Sequence, residues 1–156
     1  MAGKHLENWL YKPLAVIRAR QEPFGCYCPI SGCPPAELAK FVSDVRQVFD
    51  AEVPTEYLTF LSIQNGGGEQ AGLYGTATRE FESPGGDIYI SGFIDKNRML
   101  QLPPATFGKQ LAYGETGMDY IVHDLVTDRF RLRSKIGGDA YDEFPDIVAV
   151  IKFAMS

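Results

Sequence analysis

The sequence has no apolar run that could cross a membrane. Its longest is the five residues Ile147–Ile151, against about 20 for a spanning helix. The first positions also lack an apolar core, with Lys4, His5 and Glu7 in its place, so no secretory signal is expected. Cysteine is sparse and confined: all three fall at Cys26, Cys28 and Cys33. A disulfide framework distributes an even count along a chain. This odd cluster instead predicts reduced thiols in a cytoplasmic protein. Positive charge is in deficit, with 15 Lys+Arg against 20 Asp+Glu and a net charge of −5. Direct nucleic-acid binding is therefore not expected, because neutralising phosphates needs a basic surface. No membrane partner is expected either.

What is present suits a globular domain. The 156 residues are 45% hydrophobic and 22% charged, which excludes a disordered or fibrous chain. We read residues 1–156 as one domain. Leu6, Trp9 and Leu10 share a helical face, and Pro13 interrupts them or opens a helix carrying Leu14 and Ile17. Glu22–Pro35 is a punctuated loop with four prolines and all the cysteines. A helix opened by Pro34-Pro35 carries Leu38, Phe41, Val42, Val45 and Phe49 at 3- and 4-residue steps. A second runs from Pro54 with Tyr57, Leu58 and Leu61 inward, and Asn65-Gly66 is expected to end it in a left-handed conformation.

After Gly68 the period becomes two. Gly72–Gly75 and Thr78–Glu82 read as a strand pair or one bent strand, and Asp87–Ile94 as another strand. Leu111–Tyr113, Tyr120–Val126 and Arg129–Ile136 follow, the last two joined at Thr127-Asp128 as a tight hairpin. Gly137-Gly138 is expected to close the sheet. Asp142–Met155 reads as a final helix, with acids at its start; the β-branched Ile147, Val148, Val150 and Ile151 make a strand the alternative. The fold class predicted is α+β: N-terminal helices, a mostly antiparallel twisted sheet, and a C-terminal helix.

No catalytic constellation stands out. The spacing Cys26-x-Cys28-x4-Cys33 departs from the paired ligands of zinc sites, so neither metal nor cofactor is expected. Gly66-x-Gly68-x-x-Ala71 copies a dinucleotide fingerprint but follows a helix and leads into strands, the reverse of what that chemistry requires. His123 shares a strand face with Ile121 and Leu125, which suits a core histidine better than a base. No catalytic residue is assigned, and the chain is not expected to be an enzyme. Charge layout carries more information. Glu115, Asp119, Asp124 and Asp128 form a stretch with no basic residue. Arg129, Arg131, Arg133 and Lys135 then fall on one face of a period-2 strand, with Phe130, Leu132 and Ile136 on the other. Such a stripe suits a solvated strand face or a surface that meets a protein.

Three segments resemble the SUKH superfamily, which includes a fungal cell-wall-synthesis regulator and many bacterial immunity proteins. Val53–Gly67 carries Pro54, Tyr57, Phe60-Leu61 and Asn65-Gly66-Gly67. Gly72-Leu73-Tyr74-Gly75 follows the glycine turn. Leu111–Asp124 is similar to the family's glycine–acidic turn leading into a strand, especially in the YrhA-like branch. The resemblance covers about residues 50–145 and implies an α+β fold and a cytoplasmic protein that binds a cognate toxin, often a nuclease, and blocks it. It implies mainly structural roles for Tyr57, Asn65, Gly66, Tyr74, Gly114, Gly117 and Asp119.

An acidic inhibitor suits a basic nuclease, since complementary fields speed encounter. Candidate partner-binding residues are Glu115, Asp119 and Asp124, with Tyr89 and Phe93 as aromatic anchors. A regulatory or ligand-binding scaffold of the same fold is the alternative, and a homo-oligomer is compatible with the sequence.

Overall fold

The computed structural model describes residues 30–82, 86–103 and 107–156. The expected helix at Leu6–Ile17 and the thiols of Cys26 and Cys28 lie outside those residues.

Helix α1 spans Pro35–Phe49. Pro35 occupies a first-turn position where its missing N–H costs nothing, and the 3–4 spacing puts Phe41 and Val45 in the core. The chain leaves α1 through Asp50 at φ 51°. Helix α2 spans Thr55–Ile63 and buries Tyr57, Phe60 and Leu61.

The end of α2 differs from expectation. The helix stops at Ile63, Gln64 is extended at φ −144°, and positive φ begins only at Gly66, at 98°. Asn65 does not cap the helix. Its Nδ2 donates to Thr76 Oγ1 and its Oδ1 accepts from the Thr76 N–H, both at 2.9 Å. A polar side chain able to bond two groups of the returning loop holds the turn there. Gly66 is required by space as well as by φ: a Cβ would sit 2.7 Å from the Ile90 side chain and 3.0 Å from the Gly75 nitrogen.

The sheet has five strands: β1 (Gly72–Leu73), β4 (Gln110–Glu115), β5 (Asp119–Asp124), β6 (Arg129–Ser134) and β7 (Ala140–Phe144). Their order is β1-β4-β5-β6-β7, and every pairing is antiparallel. A separate two-stranded ribbon joins β2 (Arg79–Phe81) to β3 (Ile88–Ile90). The segments Gly72–Gly75 and Thr78–Glu82 are therefore not partners: β1 pairs with β4, and β2 with β3.

The strand expected over Asp87–Ile94 ends at Ile90. Helix α3, Phe93–Leu100, begins two residues after Ser91. Phe93, Asn97 and Leu100 recur at helical spacing and are all buried, which fixes the helix against β4. The C-terminal segment also divides. Gly137-Gly138 turns the chain from β6 into β7 and does not close the sheet. Helix α4 is only Ile147–Met155, with the Asp146 side chain accepting the Ala149 N–H. That cap bonds one of the first, otherwise unpaired, helical N–H groups, and it favours the helix over the β-branched alternative.

The order of helices, strands and helix makes the fold α+β, as the sequence predicts. Tyr57, Phe60 and Leu61 of α2 and Val150, Ile151 and Ala154 of α4 form one buried cluster with Tyr113, Ile121 and Leu132 of the sheet. Burying each such large side chain contributes about 1.5–3 kcal/mol. No helix among the described residues is long and apolar enough to cross a membrane.

Candidate functional site

Strand alternation sorts the residues of β5 and β6 onto two faces. Ile121 and His123 share the face turned to α2 and α4, and Asp119 continues that face at the strand's start. Tyr120 lies on the other, opposite Arg133 of β6. Phe130 and Leu132 are buried while Arg129 is exposed, as the alternation of the cationic stripe predicts.

Helix α3 and the segment after it frame the outer face. Strand β1 covers only Gly114 and Glu115 of β4, so Ala112 needs another partner on that edge. Asn97 supplies it: Nδ2 donates to Ala112 O at 2.8 Å, and Oδ1 accepts from Ala112 N at 2.7 Å. The side chain imitates a neighbouring strand. One residue earlier, Lys96 reaches Glu115 at 3.0 Å. Phe107 then folds over the outer face, edge-on to Tyr120 at 5.3 Å, and the Arg133 guanidinium stacks over Phe107 at 4.2 Å.

The five candidate partner residues do not form one surface. Glu115 is held on all sides: Lys96 and Lys135 contact its two oxygens, and Tyr74 Oη donates to it at 3.2 Å. Burial pushes its carboxyl up, but the hydrogen bonds and charges of Lys135 and Lys96 outweigh that and hold it below its ordinary value. Glu115 is thus a structural hub and not a free rim charge; its basic partners come from elements distant in sequence.

Asp119 accepts from Tyr141 Oη, and its N–H bonds Thr116 Oγ1 at 3.0 Å. Asp124 stands at the far end of β5, five residues or about 17 Å from Asp119. It folds back on the β5–β6 turn, accepting from Val126 N at 2.9 Å and Thr127 N at 3.2 Å. Burial works against ionisation of Asp124, yet these backbone donors lower its pKa overall.

Tyr89 is exposed and shares a hollow of about 190 Å³ with Tyr74 and Glu115. Phe93 cannot serve as a surface anchor. It is 0% exposed and packs edge-on against Phe41 at 5.7 Å and at a steep angle to Tyr113 at 5.0 Å. Its place at the start of α3, and not in a strand beside Tyr89, turns it into the core.

Sequence reasoning missed the exposed apolar side chains at the turn end of the sheet. Met118, Ile136 and Tyr141 are 69%, 80% and 61% exposed. The backbone joins the two turns here, with Lys135 N–H bonded to Met118 O at 2.9 Å. Asp119, Asp139 and Asp142 supply carboxylates at the same end. Met118 sits in a turn that no hydrophobic period marks, and Ile136, expected on the apolar face with Phe130 and Leu132, is exposed because β6 ends at Ser134 and leaves it in the following turn.

His123 is a core residue, as expected. Its ring stacks on Phe130 at 4.3 Å and its Nε2 bonds Asp128 Oδ1 at 2.7 Å. Leu125 does not share that face, since β5 ends at Asp124. Cys33 is a buried free thiol, and burial pushes its pKa up, which disfavours the nucleophilic thiolate. A cleft of about 450 Å³ between α1 and α3 contains Asp44 and Asp95, but Lys40 and Thr78 already engage these carboxylates at 2.7 and 2.8 Å.

Comparison with known proteins finds no matching family model and no matching curated protein.

Proposed function

We propose that the protein acts by stoichiometric binding of a partner protein, a toxin with a basic surface, and neutralises it by covering it. The observation that carries this reading is the acidic, apolar end of the sheet. Met118 and Ile136 in the turns and Tyr141 on β7 are largely exposed, with Asp119 at the start of β5, Asp139 just before β7 and Asp142 on β7 beside them. Exposed apolar side chains rimmed by charge suit a protein interface. Tyrosine is a favoured anchor there, with large area and little side-chain entropy to lose. The carboxylates would steer a cationic partner. The resemblance of Val53–Gly67, Gly72–Gly75 and Leu111–Asp124 to SUKH immunity proteins supplies the class of partner. Neutralisation by binding requires no catalytic residue in this chain.

The test is co-expression with a toxin candidate encoded beside this chain, followed by binding kinetics at two salt concentrations. Tyr141→Ala should raise the dissociation rate by the ~30-fold that corresponds to a hot spot of about 2 kcal/mol. Asp142→Lys should slow association, and that effect should fade with salt. If both variants keep protection, affinity and salt dependence at wild-type values, this surface is not the interface.

A further inference from the structure

We propose that the outer face of the sheet holds a separate small-molecule site, and that it binds a phosphomonoester. The site is a cavity of about 330 Å³ lined by Phe107, Tyr120, Arg133, Ser134, Lys135 and the Gly137-Gly138 turn. Its two cations are fixed on aromatic rings. The Arg133 guanidinium lies 4.2 Å from the Phe107 ring centre, and Lys135 Nζ lies 4.9 Å from that of Tyr120. Ring contact of this kind limits the motion of long basic side chains, so less entropy is lost when a ligand binds.

The orientation of Arg133 identifies the ligand chemistry. Its Nη1 is committed to Gln110 Oε1 at 2.9 Å. The opposite edge, Nε and Nη2, faces the glycine turn: a Cβ at Gly138 would lie 3.3 Å from Nη2 and 3.6 Å from Nε. No acceptor among the described residues bonds either nitrogen. That edge presents two parallel N–H groups, the fork that grips two oxygens of one oxyanion. Glycine at 138, with φ 76°, leaves the space beside the fork open.

Charge selects among oxyanions. Two cations, Arg133 and Lys135, line the cavity and no carboxylate among the described residues does; Glu115, which Lys135 contacts, is shared with Lys96 outside the lining. A phosphomonoester carries about −1.5 to −2 at pH 7 and matches the two lining cations, whereas a monocarboxylate leaves one charge unmatched. Asp139 follows the turn but does not line the cavity. The site does not rest on the toxin-binding reading, because Tyr120 and Arg133 lie on the face opposite Asp119.

The test is a heteronuclear NMR titration of the whole chain at low ionic strength with phenyl phosphate, inorganic phosphate and benzoate. Phenyl phosphate should give saturable shifts at Ser134–Asp139 with a dissociation constant of about 1 mM or tighter. Inorganic phosphate should perturb the same amides, and benzoate should bind at least about tenfold more weakly. Arg133→Lys keeps the charge and loses the fork, and should weaken phenyl phosphate by at least about tenfold. Should that variant fail to fold, Lys135→Gln provides the same test through weaker binding and a shallower salt dependence. Absence of saturable shifts overturns the proposal. So do shifts centred elsewhere, benzoate binding as tight as phosphate, or affinity unchanged in a folded variant.

Discussion

Replacing Asn97 tests how the outer face is built. The residue is 0% exposed, and its amide satisfies both backbone groups of Ala112, itself fully buried. Asn97→Ala leaves that N–H and C=O without their protein partners. Each orphaned buried group costs about 1–3 kcal/mol, so the loss should be about 2–6 kcal/mol, a large part of the ~5–15 kcal/mol that holds a typical domain together. Asn97→Asp separates the two bonds. A neutral carboxyl can still accept from Ala112 N–H and donate to Ala112 O, whereas an ionised one presents oxygen to oxygen.

Burial and that carbonyl should therefore raise the folded-state pKa of Asp at 97 above its unfolded value of about 3.9. A raised folded pKa means that the protonated form's stability is fully present below about pH 3.9 and is lost as pH rises through the folded pKa, at up to ~1.4 kcal/mol per pH unit. Urea unfolding of wild type and both variants across that range measures this directly. The Asn97→Asp variant should approach wild type in acid and fall away with rising pH, while the deficit of Asn97→Ala should depend much less on pH. A loss under about 0.5 kcal/mol in Asn97→Ala, or a pH-independent gap between the two variants, would refute the strand-mimic role.

Gly66→Val should destabilise the fold by about 1–3 kcal/mol in thermal or urea unfolding, because φ 98° strains any β-branched residue and the added atoms meet Ile90; unchanged stability would contradict the turn geometry. Glu115→Gln should cost about 1–3 kcal/mol at neutral pH by weakening the contacts to Lys96, Lys135 and Tyr74. The native carboxyl has a lowered pKa, so its contribution is present above the ordinary value of 4.5 and is lost as pH falls through the depressed folded value. The gap between Glu115→Gln and wild type should narrow progressively as pH falls below 4.5, and a gap that stays constant into strong acid would show that charge is not what Glu115 contributes.

The sequence made the long periodic elements legible and hid the short ones. Helix α1 repeats its apolar residues over four turns, and β6 alternates strictly through Arg129–Leu132, so each pattern has one reading. Asp87–Ile94 alternates for a few residues and then stops. Its β-strand is three residues long, and Phe93, Asn97 and Leu100 begin a helix whose eight residues give the period little length in which to show. Missing that helix hid much of the outer face. Lys96 and Asn97 are both on it, so Glu115 looked unpartnered in a run of acids, and Phe93 looked like a neighbour of Tyr89 when it is a core ring. The partners of Glu115, Asp119 and Asp124 differ in kind as well: two lysines from distant elements, a tyrosine from β7, and a turn backbone. Adjacency in sequence says nothing about which of these a carboxylate meets.

Where the two proposed surfaces sit follows from the same geometry. At the turn end of β5 and β6, strand period two places Asp119 on one face and Tyr120 and Arg133 on the other. The cationic residues are drawn over Phe107 and Tyr120 by the segment that follows α3, while Tyr141 of β7 reaches Asp119. One end of one sheet therefore separates an acidic side from a basic side within the width of two strands. A single charge reversal can distinguish them. Asp142→Lys alters the acidic rim and leaves the Phe107–Arg133 stack in place, so it should slow association with a basic partner and leave phenyl phosphate affinity unchanged. Arg133→Lys should do the opposite. If either variant weakens both ligands to the same degree, the sheet end acts as one electrostatic surface, and the division into two sites is wrong.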